Sequence, residues 1–389
     1  MIRIGIRGAS ALLIFSLAVH AADARFAAHT VAMGLKGGYQ VVVADVNHDG
    51  KPDLIALASG MSELVWFENP GWQRHVIAGG FKGMINCAAL DLDGDGVPEI
   101  VLASGFVGPG VSAAQGNTGI LTLLEHQGDP RQSWKATEID RLPASHRLRW
   151  ADVDGSGKPV LIDVPLTAAD AAPPDFRGHV PLAMYRPGEW KRILIGDEEE
   201  GIVHGVFVTD WNSNGRDSLL IAGFLGIHLY ELPAHGPWTR RSIARGDPAP
   251  WPKCGASDIA AGHIGKRRFL ASIEPWHGNQ VAVYRESDDW RRQVIDESLV
   301  DGHTVLAVPL DGNGNDTIVA GYRGKGQSVY LYSPVDPEGK RWTRRALDDG
   351  GMSAAACAAA DLNADGRLDI ACIGSATANL KWYENLGTP

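Results

Sequence analysis

The sequence predicts an all-β protein: a seven-bladed β-propeller of four-stranded blades, closed by an N-terminal strand that completes the last blade. One pattern, made of an apolar strand, an Asp- and Asn-rich turn and a second apolar strand, recurs seven times along the 389 residues. Such a period is the signature of a repeat fold. Six repeats are followed by a fourth strand that begins with Trp, and the missing fourth strand appears near the N-terminus, from Phe26. The two chain ends therefore share one sheet, which closes the ring.

Composition favours a soluble globular protein, because hydrophobic residues make up 44% and charged residues 21% of the chain. The net charge is −10, and the sequence contains no run of Lys or Arg. This argues against a nucleic acid or an anionic membrane as the main partner, and neutral or cation-assisted ligands, a class that includes a small sugar or oligosaccharide, fit better.

The first 24 residues have the pattern of a secretory signal peptide: Arg3 and Arg7 precede an apolar stretch over 11–19, and small residues follow. That stretch is too short to span a bilayer, which needs about 20 residues. We therefore expect residues 25–389 to form the mature propeller, in the periplasm or outside the cell, with no membrane span after cleavage. Thiols can oxidise there. Cys357 and Cys372 flank one turn, and both a cross-strand bridge and two buried thiols are open.

The turns between the first and second strands predict calcium sites. In the pattern D-x-[DN]-x-D-G-x-x-[DE], alternate residues place oxygen ligands on one side of a tight loop. Acid-rich turns without metal are the alternative, and either role is structural. Partial copies contain Asp152, Asp154 and Ser156, and Asp210, Asn212 and Asn214. The complete copies are Asp45, Asn47, Asp49 and Asp53; Asp91, Asp93, Asp95 and Glu99; and Asp361, Asn363, Asp365 and Asp369.

These turns resemble FG-GAP repeats, also called VCBS repeats. The resemblance implies a lower face that carries calcium and an upper face that binds ligands, and it does not define a function.

The opposite end of each innermost strand predicts a second kind of site. Three histidines share one register, and neutral imidazoles that converge from separate strands are what Zn²⁺ or a similar metal requires. A zinc site formed by His146, His204 and His303 is therefore predicted. Six residues before each turn, the chain carries Tyr39, Ile85, His146, His204, Cys254, His303 and Ala355.

Loops between the second and third strands open on the same upper face. In the fifth copy this loop contains Glu274, Trp276, His277 and Asn279, an apolar ring beside polar groups, which is typical of sugar binding. The sixth copy offers Tyr322, Arg323 and Lys325. The second and third copies carry insertions in the same loop, so additional chain gathers over one mouth.

The segments EPWHGN and DGHT and the closing repeat resemble the N-terminal propeller of the aldos-2-ulose dehydratase family. The matching residues are Trp276, His277, Gly278, Asn279, Gly302 and His303. The resemblance implies a lyase that acts on keto-sugars.

The function predicted from these residues is dehydration of a keto-sugar, such as an anhydrofructose or a keto-glycoside. This reaction needs a base for the proton next to the carbonyl, a group that holds the enediolate charge, and an acid that releases water. Two alternatives stay open: a non-catalytic propeller that binds glycan or protein, and a polysaccharide lyase, for which the mouth lacks a cluster of Arg. In the predicted roles, His146, His204 and His303 bind the metal, His277 or Tyr39 moves the proton, and Glu274, Trp276, Asn279, Tyr322 and Arg323 hold the sugar.

Overall fold

A computed structural model describes residues 24–388 and confirms the seven-bladed propeller. Seven antiparallel sheets of four strands each contain all 28 strands found in this described range. Two single-turn 3-10 helices, Ala113–Gln115 and Glu286–Asp288, are the only helices among the described residues. No helix in the described part of the chain is long and apolar enough to cross a membrane. The predicted signal peptide lies outside the described residues, apart from Ala24.

Blades 1 to 6 each run in chain order from an inner strand to an outer one. Blade 1 is β2 Gly38–Ala44, β3 Asp53–Ala58, β4 Glu63–Glu68 and β5 Gln73–Gly79. Blade 2 is β6 Asn86–Leu90, β7 Glu99–Ser104, β8 Ile120–Glu125 and β9 Lys135–Arg141; blade 3 is β10 Ser145–Ala151, β11 Val160–Pro165, β12 His179–Tyr185 and β13 Ile193–Glu200. Blade 4 is β14 Val203–Thr209, β15 Ser218–Gly223, β16 Gly226–Glu231 and β17 Thr239–Ala244; blade 5 is β18 Ile259–Ile264, β19 Arg267–Glu274, β20 Gln280–Arg285 and β21 Arg292–Asp296. Blade 6 is β22 Gly302–Val308, β23 Thr317–Tyr322, β24 Val329–Pro334 and β25 Trp342–Asp348.

Blade 7 joins the two chain ends, as predicted. It consists of β26 Ala354–Ala360, β27 Asp369–Gly374 and β28 Asn379–Asn385, with β1 Phe26–Met33 as its outer strand. The pairing of β1 with β28 is antiparallel and begins with Phe26 opposite Asn385. This pairing supplies the fourth strand of blade 7 and closes the ring.

The core lies between adjacent blades, because each sheet packs face to face on its neighbours. The second strands are therefore buried on both faces, and they read as continuous apolar runs rather than as alternating ones. All six residues of β3, β7, β11 and β15 are buried. The outer strands are more exposed, as in β9, in which no residue is buried.

A tyrosine on the third strand of blades 3 to 7 donates its hydroxyl hydrogen to a buried or half-buried carboxylate. In blade 6, Tyr332 donates to Asp296 of blade 5 over 2.8 Å, and Arg344 also binds that carboxylate. We call each such pair a tyrosine lock, and most of them join two blades. The pairs are Tyr185 with Asp140, Tyr230 with Glu199, Tyr284 with Glu274, Tyr332 with Asp296 and Tyr383 with Asp348.

Of the two alternatives for the paired cysteines, the structure contains the bridge. Cys357 of β26 and Cys372 of β27 face each other in the register and form a disulfide. The bridge links the inner and second strands of the blade that closes the ring.

Candidate functional site

Three histidines meet at the upper face, which is the face where the inner strands begin. His146, His204 and His303 lie near the start of β10, β14 and β22. The ring centroids of His146 and His204 are 5.1 Å apart, and those of His204 and His303 are 4.9 Å apart. The acidic turns follow the same strands at their other ends, on the lower face. The predicted convergence of the histidines is therefore present.

His277 joins this group from the loop between β19 and β20, and the four imidazoles together are called the His cluster here. The ring of His277 lies 5.2 Å from that of His204 and 5.1 Å from that of His303. Its backbone has a φ of 50°, in the left-handed region. His204, His277 and His303 can each offer a nitrogen such that all three atoms lie within 4.8 Å of one another.

The metal-capable set therefore differs from the predicted one, because His277 takes the place of His146. The reason is geometric: His146 turns its Nε2 to the hydroxyl of Tyr39, at 2.8 Å. The strained loop residue His277 instead reaches over the funnel from blade 5. Equivalent positions of the inner strands predict where strand histidines meet, but they do not predict the position of a histidine in a loop.

His303 has the donor arrangement that a metal ligand needs. Its Nδ1 donates to the carbonyl oxygen of Ala355 over 2.5 Å, so the other ring nitrogen, Nε2, carries a lone pair. That Nε2 is buried and has no hydrogen-bond partner. A buried acceptor of this kind is costly unless it is satisfied, so His303 is the residue of the set that best fits a bound cation.

His204 is held by two neighbouring side chains. Its Nδ1 lies 3.1 Å from the hydroxyl of Ser257, and its Nε2 lies 3.2 Å from a terminal nitrogen of Arg147. The Nε of Arg147 also donates to the backbone oxygen of His204 over 2.8 Å. These contacts fix the ring orientation.

All four imidazoles are neutral at pH 7, because burial lowers the pKa of each. For His277 the pKa falls to about 3, with burial as the main cause and the charges of Arg323 and Arg147 as further causes. The pKa values of His146, His204 and His303 are lowered well below the ordinary value for the same main reason. Neutral imidazoles are the form that binds metals and accepts protons.

The Tyr39 and His146 pair is the second component of the site. Burial raises the pKa of Tyr39, so its phenol keeps its proton at neutral pH. The Nδ1 of His146 is buried without a partner. Tyr39 itself is only half-buried, and its ring lies 5.3 Å from that of His303. The pair thus offers a phenol proton and a neutral imidazole beside the metal-capable set.

Two cations flank the His cluster. Arg147 lies against His204, and Arg323 places a terminal nitrogen 3.0 Å from Nδ1 of His277. Asp301 holds the Arg323 guanidinium with two hydrogen bonds of 3.1 Å and 3.0 Å. Because Arg323 is paired with Asp301, Arg147 is the residue that places positive charge beside His204, which suits an intermediate that carries negative charge.

An aromatic wall borders the His cluster. The ring of Trp276 lies 4.6 Å from that of His277 at a tilt of 38°, and the ring of Phe106 lies 5.5 Å from that of His146. Phe176 lies 5.8 Å from Trp276 at an edge-to-face angle, and Phe224 packs against both Trp276 and Trp251. The sequence analysis identified only Trp276. The others lie on separate loops and adjoining strand ends, and no local pattern links them.

The two insertions meet over this upper face. The backbone nitrogen of Ala113 lies 3.4 Å from the oxygen of Ala169, so the blade 2 loop contacts the blade 3 loop. A Cβ placed on Gly110 would lie 2.4 Å from Pro173. The inserted chain thus forms a continuous rim beside the aromatic wall.

Two residues predicted to hold the sugar are buried elsewhere. Glu274 has no exposed side chain, and its carboxylate is held by Tyr284 at 2.5 Å and by Arg292 at 2.6 Å. It forms a tyrosine lock and does not overhang the funnel. Tyr322 is 4% exposed and packs against Tyr330 inside blade 6.

Asn279 is exposed, and its side-chain amide donates to the backbone oxygen of Glu297 over 2.9 Å. Its role is a turn contact in this structure. Lys325 lies beyond Arg323 in the same exposed loop. Arg323, Trp276 and His277 are the predicted loop residues that the structure brings together.

In the fifth copy, the turn and the register position of the histidines lie three residues later in the chain than the sequence pattern predicts. The nitrogen of His263 is bound by Asp316 of the next blade, just as the nitrogen of Asp152 is bound by Asp217. His263 is therefore the true turn position, and Ser257 rather than Cys254 occupies the register of the histidines. Cys254 instead places its thiol against the backbone oxygen of Phe224.

A polar channel continues below the His cluster along the propeller axis. Its volume is about 330 Å³, and His303, Arg147, Arg149 and Asp258 line it with other residues of the inner strands. Burial and the nearby Arg147 charge lower the pKa of Arg149 to about 10. The sequence reading did not anticipate these buried charges.

The acidic turns on the lower face are tightly organised. In each complete turn the closing acid accepts the backbone N–H that follows the first Asp, as Asp53 does from Val46 over 2.9 Å. Burial raises the pKa of Asp53 to about 6, and those of Glu99 and Asp369 are also raised. Among the described residues, Asp91, Asp93 and Glu99 bring one oxygen each within 4.8 Å of the others. In the partial turns Asp152 and Asp210 each accept a hydrogen bond from a backbone Gly N–H, as Asp45 does from Gly50 in a complete turn.

The fold and the site define a β-propeller with a histidine-lined mouth on one face and acidic turns on the other. Residues 118–287, which include His146, His204 and His277, match the family model of the aldos-2-ulose dehydratase β-propeller domain. Residues 45–102 match the FG-GAP-like repeat model. Both resemblances that the sequence indicates are therefore confirmed.

Aldos-2-ulose dehydratase of Phanerodontia chrysosporium is 24% identical to this chain over 293 residues, which are 66% of this chain and 32% of that enzyme. The chain thus spans about a third of the length of this curated relative. Two solved structures share the fold. The Dos1 propeller superimposes with a TM-score of 0.54 at 9% identity, over 90% of this chain and 79% of that one. A chain of the mitotic checkpoint complex gives 0.53 at 11% identity, over 95% and 98%.

Proposed function

We propose that this protein is a carbon–oxygen lyase that removes water from a keto-sugar at the His cluster. The observation that carries the proposal is the meeting of neutral imidazoles from four blades beside an aromatic wall. The similarity to the propeller of a dehydratase that acts on aldos-2-uloses, as its name says, supports the same class of substrate.

The reaction balances without an oxidant or a second substrate. The C–H bond next to the ketone breaks, and its electron pair becomes a carbon–carbon double bond. The C–O bond one carbon further breaks at the same time or after it, and the hydroxyl leaves with one proton as water. The product is a conjugated enone.

His204, His277 and His303 would hold a divalent transition metal such as zinc, and the buried unpartnered Nε2 of His303 supports this assignment. A bound zinc ion supplies Lewis acidity toward a ketone oxygen. Arg147 adds positive charge beside the same position, where negative charge develops.

The Tyr39 and His146 pair moves the proton in this proposal. The hydroxyl oxygen of Tyr39 takes the proton of the C–H bond as it passes its own proton to Nε2 of the neutral His146 imidazole, 2.8 Å away. The phenol of Tyr39, which keeps its proton at pH 7, returns one to the departing hydroxyl. Trp276 and Phe106 bind the apolar faces of the sugar ring.

Calcium in the acidic turns, with Asp91, Asp93 and Glu99 as the best-formed set, is part of the proposal and has a structural role. Export to the periplasm or the medium is proposed from the N-terminal pattern of residues 1–24.

The experiment is an assay of keto-sugar consumption and of ultraviolet absorbance by the enone, with wild type, His303→Ala and Tyr39→Phe. Wild type should form product, and both variants should lose most of the activity. A protein that binds keto-sugar but forms no product would be the non-catalytic propeller. Product formation from a uronate polymer alone would indicate the polysaccharide lyase.

A further inference from the structure

We propose that the substrate carries a second, neutral sugar residue, because a built groove beside the His cluster has room for one. This inference rests on the proposed function and specifies its substrate class. We call the cavity the blade 1–2 groove, and its volume is about 550 Å³. That volume lies within the range of small-ligand sites. The groove is lined mainly by residues Phe81, Lys82, Ser104, Phe106, Thr118, Thr122 and Glu138.

The groove is continuous with the candidate active site through Phe106. This residue lines the groove, and its ring also lies 5.5 Å from that of His146. Phe106 follows β7 at the upper face, and Phe81 precedes β6 at the same face. A ligand that places its reacting ring over the His cluster can therefore continue across Phe106 into the groove.

The floor of the groove is held in place by backbone contacts. The nitrogen of Phe106 donates to the oxygen of Gly83 over 3.1 Å, and that of Gly105 donates to Lys82 over 2.7 Å. A Cβ on Gly83 would lie 2.0 Å from the Phe106 oxygen, and one on Gly105 would lie 2.4 Å from the Thr118 hydroxyl. Both positions have positive φ, so glycine is needed for this close approach.

The wall formed by the blade 2 insertion is also held. Asn117 is 1% exposed, and its amide donates to the backbone oxygen of Val111 over 2.9 Å. Its side-chain oxygen accepts from the nitrogen of Val107 at 3.4 Å. The insertion thus has a defined conformation above the groove.

The chemistry of the lining matches a neutral sugar. The Phe81 and Phe106 rings offer apolar faces, while Ser104, Thr118 and Thr122 offer hydroxyl groups. Aromatic rings pack against the apolar C–H faces of a sugar, and hydroxyl groups form hydrogen bonds with the sugar hydroxyls. The charged groups of the lining are Lys82 and Glu138, one of each sign. The lining therefore has no excess of positive charge for a uronate.

The test compares two aldos-2-uloses: glucosone, and gentiobiosone, which is glucosone with a second glucose on its primary hydroxyl. We expect wild type to show a kcat/KM for gentiobiosone at least about tenfold higher. Phe81→Ala should remove most of this preference through a higher KM and leave glucosone turnover unchanged. Phe26→Ala is the matched control, because Phe26 is a half-buried Phe in blade 7.

Equal kcat/KM for the two sugars in wild type would overturn the inference, and so would an equal loss on both in Phe81→Ala. If neither sugar is turned over, the proposed function fails, and sugar binding is then the measurement that tests whether the groove accepts a second sugar residue. Gentiobiose should then bind more tightly than glucose in calorimetry, and about tenfold more weakly to Phe81→Ala. Equal binding of the two sugars, or no effect of the variant, would refute the groove.

Discussion

Replacing Tyr284 with Phe tests whether Glu274 is a structural residue or a sugar ligand. The substitution deletes the hydroxyl that donates to the buried Glu274 carboxylate over 2.5 Å and leaves the ring in place. A buried hydrogen bond to a charged group contributes about 1.5–3 kcal/mol. Arg292 still holds the carboxylate, so the loss is expected at the lower end of that range.

For a propeller domain of this length, a loss of that free energy lowers the Tm by roughly 2–4 °C. Circular dichroism during heating measures this shift, and steady-state kinetics measures KM for the keto-sugar. The control is Tyr330→Phe, because Tyr330 is also on a third strand but has no carboxylate partner among the described residues. Its Tm should change by less than about 2 °C. If Tyr284→Phe raised KM severalfold and left the Tm unchanged, Glu274 would face the substrate and the structural assignment would be wrong.

Three further predictions concern the proton pair, a buried acid and the acidic turns. Tyr39→Phe should lower kcat about 100-fold and leave the metal content unchanged, because the imidazole of His146 loses its phenol partner. An unchanged kcat would show that Tyr39 has no part in the mechanism. Burial raises the pKa of Asp163 to about 7, so the folded protein retains a proton that the unfolded chain releases above about pH 4. Stability should therefore fall as the pH rises from about 4 to 7. Asp163→Asn should add roughly 4 kcal/mol to the free energy of unfolding at pH 8 and little at pH 4, as measured by denaturant titration. The same gain at both pH values would contradict this. Removal of calcium with a chelator should lower the Tm by several degrees. Asp93→Ala should reduce the calcium content by one ion per chain. A Tm that does not depend on calcium would indicate that the acidic turns hold no metal.

The fold could be predicted from sequence because its evidence is repeated along the chain. Seven acidic turns or their remnants mark the hairpins, and the strand at Phe26 marks the closure. The three strand histidines could also be placed, since residues in one register of equivalent strands meet at one end of the ring. The fifth copy was misplaced because His263 stands where other copies carry Asp, so the turn has no acidic signal.

The finer arrangement of the site depends on contacts between distant residues. Glu274 looks like a loop ligand in sequence, and only the positions of Tyr284 and Arg292 show that it is buried. His277 replaces His146 in the metal-capable set because its positive φ turns the loop over the funnel. The aromatic wall joins Phe106, Phe176 and Phe224 from three blades, and no spacing in the sequence relates them.

The metal content of purified protein after zinc loading and removal of free metal tests the central claim most directly. Elemental analysis should find one zinc ion per chain in wild type and in His146→Ala, and none in His303→Ala or His277→Ala. His146→Ala is the informative variant. His146 belongs to the His cluster, but its imidazole contacts Tyr39 and is not part of the metal-capable set. Zinc that is absent from wild type, or lost in His146→Ala but retained in His277→Ala, would contradict the site described here.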